Sequence, residues 1–113
     1  MSNQITDELI MEVIEKGLSA IGEKPKQALW FCLEQDLKVN RQTIPKDLET
    51  FQKQLQGFFG LAYNFLNVLF LKYLGEAINE DLSGYSNFVD CIKSLRTQPE
   101  LVVENKEFPV LKG

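Results

Sequence analysis

The side chains best suited to catalysis in this chain are two small groups of carboxylates. Glu8 and Glu12 lie four positions apart, as do Glu76 and Glu80, and Asp81 follows the second pair. Paired acids can bind a cation or transfer protons. The sequence contains no histidine, the commonest general base near neutral pH, to work with them. We therefore interpret both groups as solvated helix faces and expect no catalytic, metal or cofactor site.

The cysteine and glycine patterns also give no sign of a metal, nucleotide or phosphate-binding site. Cys32 and Cys91 lie far apart in the sequence, whereas thiolate metal sites are built from clustered cysteines. No P-loop or dinucleotide-binding fingerprint occurs. The segment Gly57-Phe58-Phe59-Gly60 has the spacing of the KH clamp, but its two phenylalanines offer a phosphate no charge. Because no secretion signal opens the sequence, we expect a cytoplasmic protein with reduced thiols.

The charge balance argues against nucleic-acid binding. The 113-residue chain has a formal net charge of −4, whereas proteins that neutralise phosphates usually show a basic footprint. Only the segment from Lys24 to Lys53 has a basic excess, and its charges are few and dispersed. Nucleic-acid binding through that segment therefore ranks lowest among the functions considered.

Five helices are predicted to position these side chains. In the first, apolar residues recur three or four positions apart, which is the pattern of a helix with one face on a core. Thr6 is a suitable N-cap and Gly22 a suitable stop. The predicted helices run from about Thr6 to Ile21, from Pro25 to Leu37, from Asp47 to the Gly57–Gly60 region, from Leu61 to Ile78 and from Ser86 to Leu95.

Two segments are predicted to lie outside the helices. The stretch from Lys38 to Pro45 is interpreted as a connection, since Pro45 biases Ile44 away from helix. After Arg96 the helical period is lost and two prolines follow. We therefore expect a helical bundle domain over residues 1–96 and a flexible C-terminal tail over residues 97–113.

The predicted fourth helix, Leu61 to Ile78, is apolar around nearly its whole circumference. Such a helix is either buried on all sides or spans a membrane. Its uncharged run from Gly57 to Leu71 is shorter than the roughly 20 residues that a span requires. The sequence therefore predicts the central helix of an all-α bundle, and no membrane span is expected.

Asn64 and Asn67 interrupt this apolar helix, three positions apart on one face. One interpretation is a pair of amides that neighbouring backbone groups satisfy, or a face exposed to solvent. The other is a seam against an identical helix, in which a buried asparagine can fix register and partner number.

The chain is rich in aromatic residues for its size, with eight Phe, three Tyr and one Trp. Aromatic side chains at helical spacing usually form core, but they can also line an apolar ligand pocket or a contact patch. Together with the two asparagines, they supply the candidate interaction or pocket residues. These candidates are Trp30, Phe31, Phe58, Phe59, Tyr63, Asn64, Asn67 and Phe70. Phe65 is a further aromatic that could line a pocket.

A series of short apolar stretches between residues 6 and 96 forms a family pattern. The main ones are Gly17–Glu23, Ala28–Trp30, Leu33-Glu34, Ile44-Pro45, Phe58–Ala62 and Phe88-Val89. Together they resemble the Nitrosopumilus output domain family, small helical domains known mainly from archaea. The resemblance implies an all-helical module at the output end of signalling proteins. It assigns no functional residue, because the family's activity is undefined.

These observations predict a non-enzymatic protein-interaction module in a signalling or regulatory role. We expect it to associate with itself, as a dimer, or with another protein. The alternative is a carrier or sensor of a small apolar molecule, bound in a pocket between the helices.

Overall fold

The computed structural model of the chain describes residues 5–105, with side chains as far as Arg96. All regular structure in this part is helical, as predicted. The five α-helices are α1 (Asp7–Ile21), α2 (Glu23–Phe31), α3 (Leu48–Phe59), α4 (Tyr63–Ile78) and α5 (Phe88–Asn105). A π-helical turn (Cys32–Asp36) extends α2, and 3-10 segments precede α3 (Arg41–Lys46) and α4 (Gly60–Ala62).

The helix ends follow from local side-chain chemistry. The hydroxyl of Thr6 accepts a hydrogen bond from the backbone N–H of Leu9 at 3.1 Å, so the predicted N-cap of α1 is confirmed. Gly22 ends α1 with φ at 127°, a conformation that favours glycine. Asp47 caps α3 by accepting from the N–H of Thr50 at 3.3 Å. These caps satisfy backbone donors that a helix start leaves free.

The hydrophobic core is built around the contact of α4 with α1. Gly17 makes this contact close, since a Cβ atom at that position would lie 2.5 Å from Cε1 of Phe70. Phe70 also packs against Phe88 of α5, with ring centroids 4.9 Å apart. The largest fully buried side chains are those of Ile10, Ile14, Leu18, Leu29, Leu33, Leu55, Leu66, Phe70, Leu74, Phe88 and Ile92.

The predicted connection between α2 and α3 is present, but it contains a 3-10 segment that the sequence did not predict. Arg41–Lys46 form a 3-10 segment, which the side chain of Asn40 begins by accepting from the N–H of Gln42 at 2.8 Å. Pro45 fits inside this segment because its fixed φ suits a 3-10 turn. Ile44 is buried, as expected of an anchor onto the core.

Helix α5 runs ten residues past its predicted end at Leu95, to Asn105. Pro99 did not end the helix as predicted, because a proline removes one backbone hydrogen bond but does not forbid a kinked helix. The rest of the predicted flexible tail, residues 106–113, lies outside the described residues, so its flexibility stays a prediction.

Arg96 ties α5 to the start of α1. Its Nε donates to the carbonyl oxygen of Ile5 at 3.0 Å, and its Nη2 lies 2.9 Å from Oδ1 of Asp7. Lys46 reaches the other carboxylate oxygen of Asp7 at 2.7 Å. Hydrogen bonds from Arg96 and Lys46 lower the pKa of Asp7. The three segments therefore meet at one exposed ion-pair network.

Candidate interaction surface

Helix α4 is the central helix of the bundle, packed against α1, α3 and α5, but only one side of it is buried. Leu61, just before the helix, is 89% exposed, and Phe65 and Val68 are 60% and 59% exposed. Burial on all sides was therefore a wrong expectation, because these three helices cover only one face. The buried face comprises Tyr63, Leu66, Phe70, Leu74, Gly75 and Ile78.

The exposed large apolar residues of this region are Leu61, Phe65 and Val68, together with Phe58 near the end of α3, and we call this set the α4 face. Phe58 is 41% exposed and packs edge-on against Phe59, with ring centroids 4.9 Å apart. Phe65 and Val68 are three positions apart and therefore share one side of α4, and Leu61, four positions before Phe65, lies in the 3-10 segment that leads into the helix. We refer to these three residues as the row. The exposed side of α4 was not predicted from the sequence, because apolar residues surround nearly the whole circumference of the helix.

The bend at Gly60 brings the start of the row to the surface. Gly60 adopts φ 61° and ψ −135°, and its N–H donates to the carbonyl oxygen of Gln56 at the end of α3. A left-handed φ at this point favours glycine. A Cβ atom built on Gly60 would meet no other atom within 4 Å, so the surface beside Leu61 is open.

Three of the predicted site residues are core residues. Trp30 is buried against Phe51, with ring centroids 6.3 Å apart, and Arg41 lies over its ring at 4.1 Å. Tyr63 is buried and donates to Oε1 of Gln52 at 3.2 Å. Burial raises the pKa of Tyr63 to about 12. Phe70 fills the contact with α1. Their side chains are therefore unavailable as an exposed surface in this conformation.

The remaining aromatic candidates do not form a single surface. Phe58 belongs to the α4 face, and Phe59 beside it is half-buried. Phe31 is 65% exposed but lies at the end of α2, a different element. Asn64 is exposed on α4, next to the row that Phe65 belongs to.

Asn67 makes hydrogen bonds within the chain rather than facing an open seam. Its Nδ2 donates to the carbonyl oxygen of Ser86 at 2.9 Å, and its Oδ1 accepts from the N–H of Phe88 at 2.8 Å. The next capping bond of α5 comes from Asn87, whose Oδ1 accepts from the N–H of Asp90 at 3.0 Å. Asn67 thus fixes the start of α5 against α4, in line with the interpretation of an amide satisfied by backbone groups.

Two clefts on the described surface are lined by residues other than the predicted aromatic candidates. One cleft lies beside the α4 face, where Val68, Leu71 and Leu82 form its apolar part and Glu76 and Asp81 its acidic rim. A second follows the exposed side of α1 between Asp7 and Ser19. Neither is lined by any of the aromatic candidates, since the buried ones fill the core instead.

None of the four residues of the α4 face is charged. The first charge after the row is Lys72, which pairs with Glu76 at 3.2 Å.

In the basic segment from Lys24 to Lys53, Arg41 contacts Glu34 at 2.6 Å and Glu15 at 3.1 Å. Three of the six basic residues of that segment, Lys26, Arg41 and Lys46, therefore lie in ion pairs within the chain.

Among the described residues, one helical run, Leu48–Ile78, is by length and composition apolar enough to cross a membrane. A single such run is weak evidence, because core helices of soluble proteins pass the same test; those helices are mostly buried, whereas 22% of the apolar window of this run is buried. The run is also not one straight α-helix, since Gly60 ends α3 with a left-handed φ. One face of α4 is buried against protein, which leaves only the other face available to lipid.

Within the part of the chain that the structure describes, no three His, Cys, Asp or Glu side chains lie together as a metal site. Cys32 and Cys91 are free thiols, the first half-buried and the second buried. Comparisons with protein-family models, with curated proteins and with solved structures find no match. The resemblance to the Nitrosopumilus output domain family therefore stays an expectation from the sequence.

Proposed function

We propose that this protein is a non-enzymatic interaction module that binds another protein surface through the α4 face. The observation that carries the proposal is the exposure of Phe65 and Val68 on one side of the central helix, with Leu61 exposed just before it. A signalling or regulatory role follows only from the family resemblance and is part of the same proposal.

The size of the surface supports binding rather than incidental exposure. A fully exposed phenylalanine presents about 150–250 Å². Scaled by their exposed fractions, the four residues of the α4 face present roughly 400 Å² of apolar surface. This area is within the range of about 300–600 Å² that is usual for the largest apolar patch on a soluble monomer, and such patches are often functional. Isolated exposed apolar residues such as Phe31 need no such explanation.

Capture experiments with purified, tagged chain test the proposal. Phe65→Glu places a charge in the middle of the α4 face, and burying an unpaired charge in an interface is costly. Phe31→Glu is the matched control, because it makes the same change at a residue of nearly equal exposure on α2. Both the purified chain itself and a cell extract serve as sources of partner.

The expected result is capture by the wild type and by Phe31→Glu, with capture by Phe65→Glu weakened at least about tenfold. Circular dichroism should show the same helical content for all three proteins. A wild-type chain that captures nothing from either source would contradict the proposal. So would equal capture by wild type and Phe65→Glu.

A further inference from the structure

We propose that the partner of the α4 face is the same face of a second copy, packed antiparallel about a two-fold axis between Phe65 and Val68. This inference rests on the proposed function and specifies its partner.

The spacing of the row matches a helix–helix seam. Lys72 extends the row by one step: Leu61 in the 3-10 segment before α4, followed by Phe65, Val68 and Lys72 on α4, are separated by four, three and four residues, which is the alternation of the a and d positions of a heptad. The midpoint of this row falls between Phe65 and Val68. A two-fold axis there places Phe65 against Val68 of the second copy and Leu61 against Lys72.

The charge at the end of the row selects the antiparallel orientation. In a parallel pair the two Lys72 ammonium groups would face each other across the seam, and like charges at such positions repel. In the antiparallel pair each Lys72 meets a leucine. The four-carbon stem of lysine can cover that leucine while its Nζ keeps the ion pair with Glu76 at 3.2 Å.

The apolar area that two α4 faces can bury against each other is that of a weak dimer. Two α4 faces together supply roughly 800 Å² of apolar surface, and specific interfaces bury about 1,200–2,000 Å² in total. The flanking residues Ala62 and Asn64, which are exposed, and Leu69, which is half-buried, extend the contact along the helix. The sum approaches the lower end of the specific range, so the dimer should dissociate on dilution.

The described geometry argues against residues 106–113 as the occupant. Lys93 of α5 pairs with Glu49 in the first turn of α3, while the start of α5 at Phe88 lies against Asn67. Helix α5 therefore runs away from the α4 face, and Asn105 is about 25 Å beyond Phe88 at 1.5 Å per residue. Eight extended residues span at most about 28 Å, which leaves no length to cover the face.

A membrane surface is the less favoured occupant. Helices that lie on anionic membranes are usually rich in lysine and arginine on the polar face. The only basic residue of α4 is Lys72, and the chain as a whole carries a net charge of −4.

Disulfide cross-linking tests the orientation and register. Leu61→Cys and Lys72→Cys are prepared separately in a Cys32→Ser background and oxidised alone or as an equimolar mixture. Cys91 can stay, because it is buried and burial raises the pKa of its thiol to about 11, so it reacts slowly. In the antiparallel pair identical positions lie about 16 Å apart along the seam, beyond the roughly 7 Å limit for a disulfide.

We expect a covalent dimer from the mixture and little from either variant alone. Cross-linking of each variant with itself would instead show a parallel pair, and no cross-link in any arm would overturn the proposed pairing. In that last case, capture of a different protein in a Phe65-dependent way would leave the proposed function standing. Flotation with phosphatidylcholine–phosphatidylglycerol vesicles, abolished by Phe65→Glu, would assign the face to a membrane and overturn both proposals.

Discussion

Replacing Asn67 with alanine should destabilise the fold by detaching the start of α5 from α4. The wild-type amide makes two hydrogen bonds, one to the carbonyl oxygen of Ser86 and one from the N–H of Phe88. The side chain of Phe88 is fully buried, so water has limited access to that N–H when the amide is removed. Alanine leaves both backbone groups without this partner.

The expected loss is about 2 kcal/mol in the free energy of unfolding. A net hydrogen bond contributes about 0.5–1.5 kcal/mol, and leaving a buried donor unsatisfied costs about 1–3 kcal/mol. Loss of a helix-capping side chain has a similar cost, about 1 kcal/mol. The hydrogen bond from Asn67 to the carbonyl oxygen of Ser86 contributes at the low end of these ranges, because it is exposed to solvent.

Urea denaturation followed by far-UV circular dichroism, at one protein concentration, measures the loss. Asn64→Ala is the matched control: it makes the same change three residues away at an exposed position, and should alter stability by less than about 0.5 kcal/mol. Asn67→Asp separates the two bonds, since it keeps an acceptor for Phe88 but removes the donor to Ser86. Its effect should fall between those of the wild type and the alanine variant.

Equal stability of the Asn67→Ala and Asn64→Ala variants would refute this reasoning. A change in oligomer mass caused by Asn67→Ala, with stability unchanged, would instead support a role for Asn67 in a seam between copies.

Three further predictions concern packing, acid sensitivity and thiol reactivity. Gly17→Ala should lower stability by about 1–3 kcal/mol, because its new methyl group meets the buried ring of Phe70 and overpacks the core. Gly57→Ala should raise stability by about 0.5–1 kcal/mol, because its Cβ atom meets nothing within 4 Å. Thermal unfolding compares the two variants. The basic partners of Asp7 lower the pKa of its carboxyl group from 3.8. The contribution of Asp7 to folding stability is therefore present above pH 3.8 and is lost as the pH falls through the lowered pKa. The stability deficit of Asp7→Asn in urea titrations should therefore be present at neutral pH and vanish in acid. A maleimide reagent should label half-buried Cys32 well before buried Cys91, and equal labelling rates in the native protein would contradict the described burial.

The helices were predictable from the sequence because their boundaries depend on neighbouring residues. Thr6, Gly22 and Asp47 act within a turn of their own positions, so their roles are visible without tertiary structure. The contact of α5 with the start of α1 was not predictable in this way. Arg96 binds Ile5 and Asp7 across the whole length of the chain, and no local pattern reveals that contact.

The exposed side of α4 could not be assigned from composition, because both of its sides are apolar. Phe70 and Phe65 are the same residue type five positions apart, yet the first is buried and the second is exposed. The difference arises from Gly17, which lets α1 approach Phe70 closely, and from the absence of a covering helix over Phe65 in the described structure. The role of Asn67 could not be assigned from composition either, because its backbone partners lie on a segment about twenty residues away.

The most direct test of the paired α4 faces is the mass of the purified chain, measured by light scattering across a dilution series. The account predicts that the mass falls from a dimer toward the 13.0 kDa of one chain as the protein is diluted, and that Phe31→Glu behaves in the same way. Phe65→Glu should stay at 13.0 kDa at every concentration. A wild-type chain whose mass equals that of Phe65→Glu throughout the series would contradict the pairing.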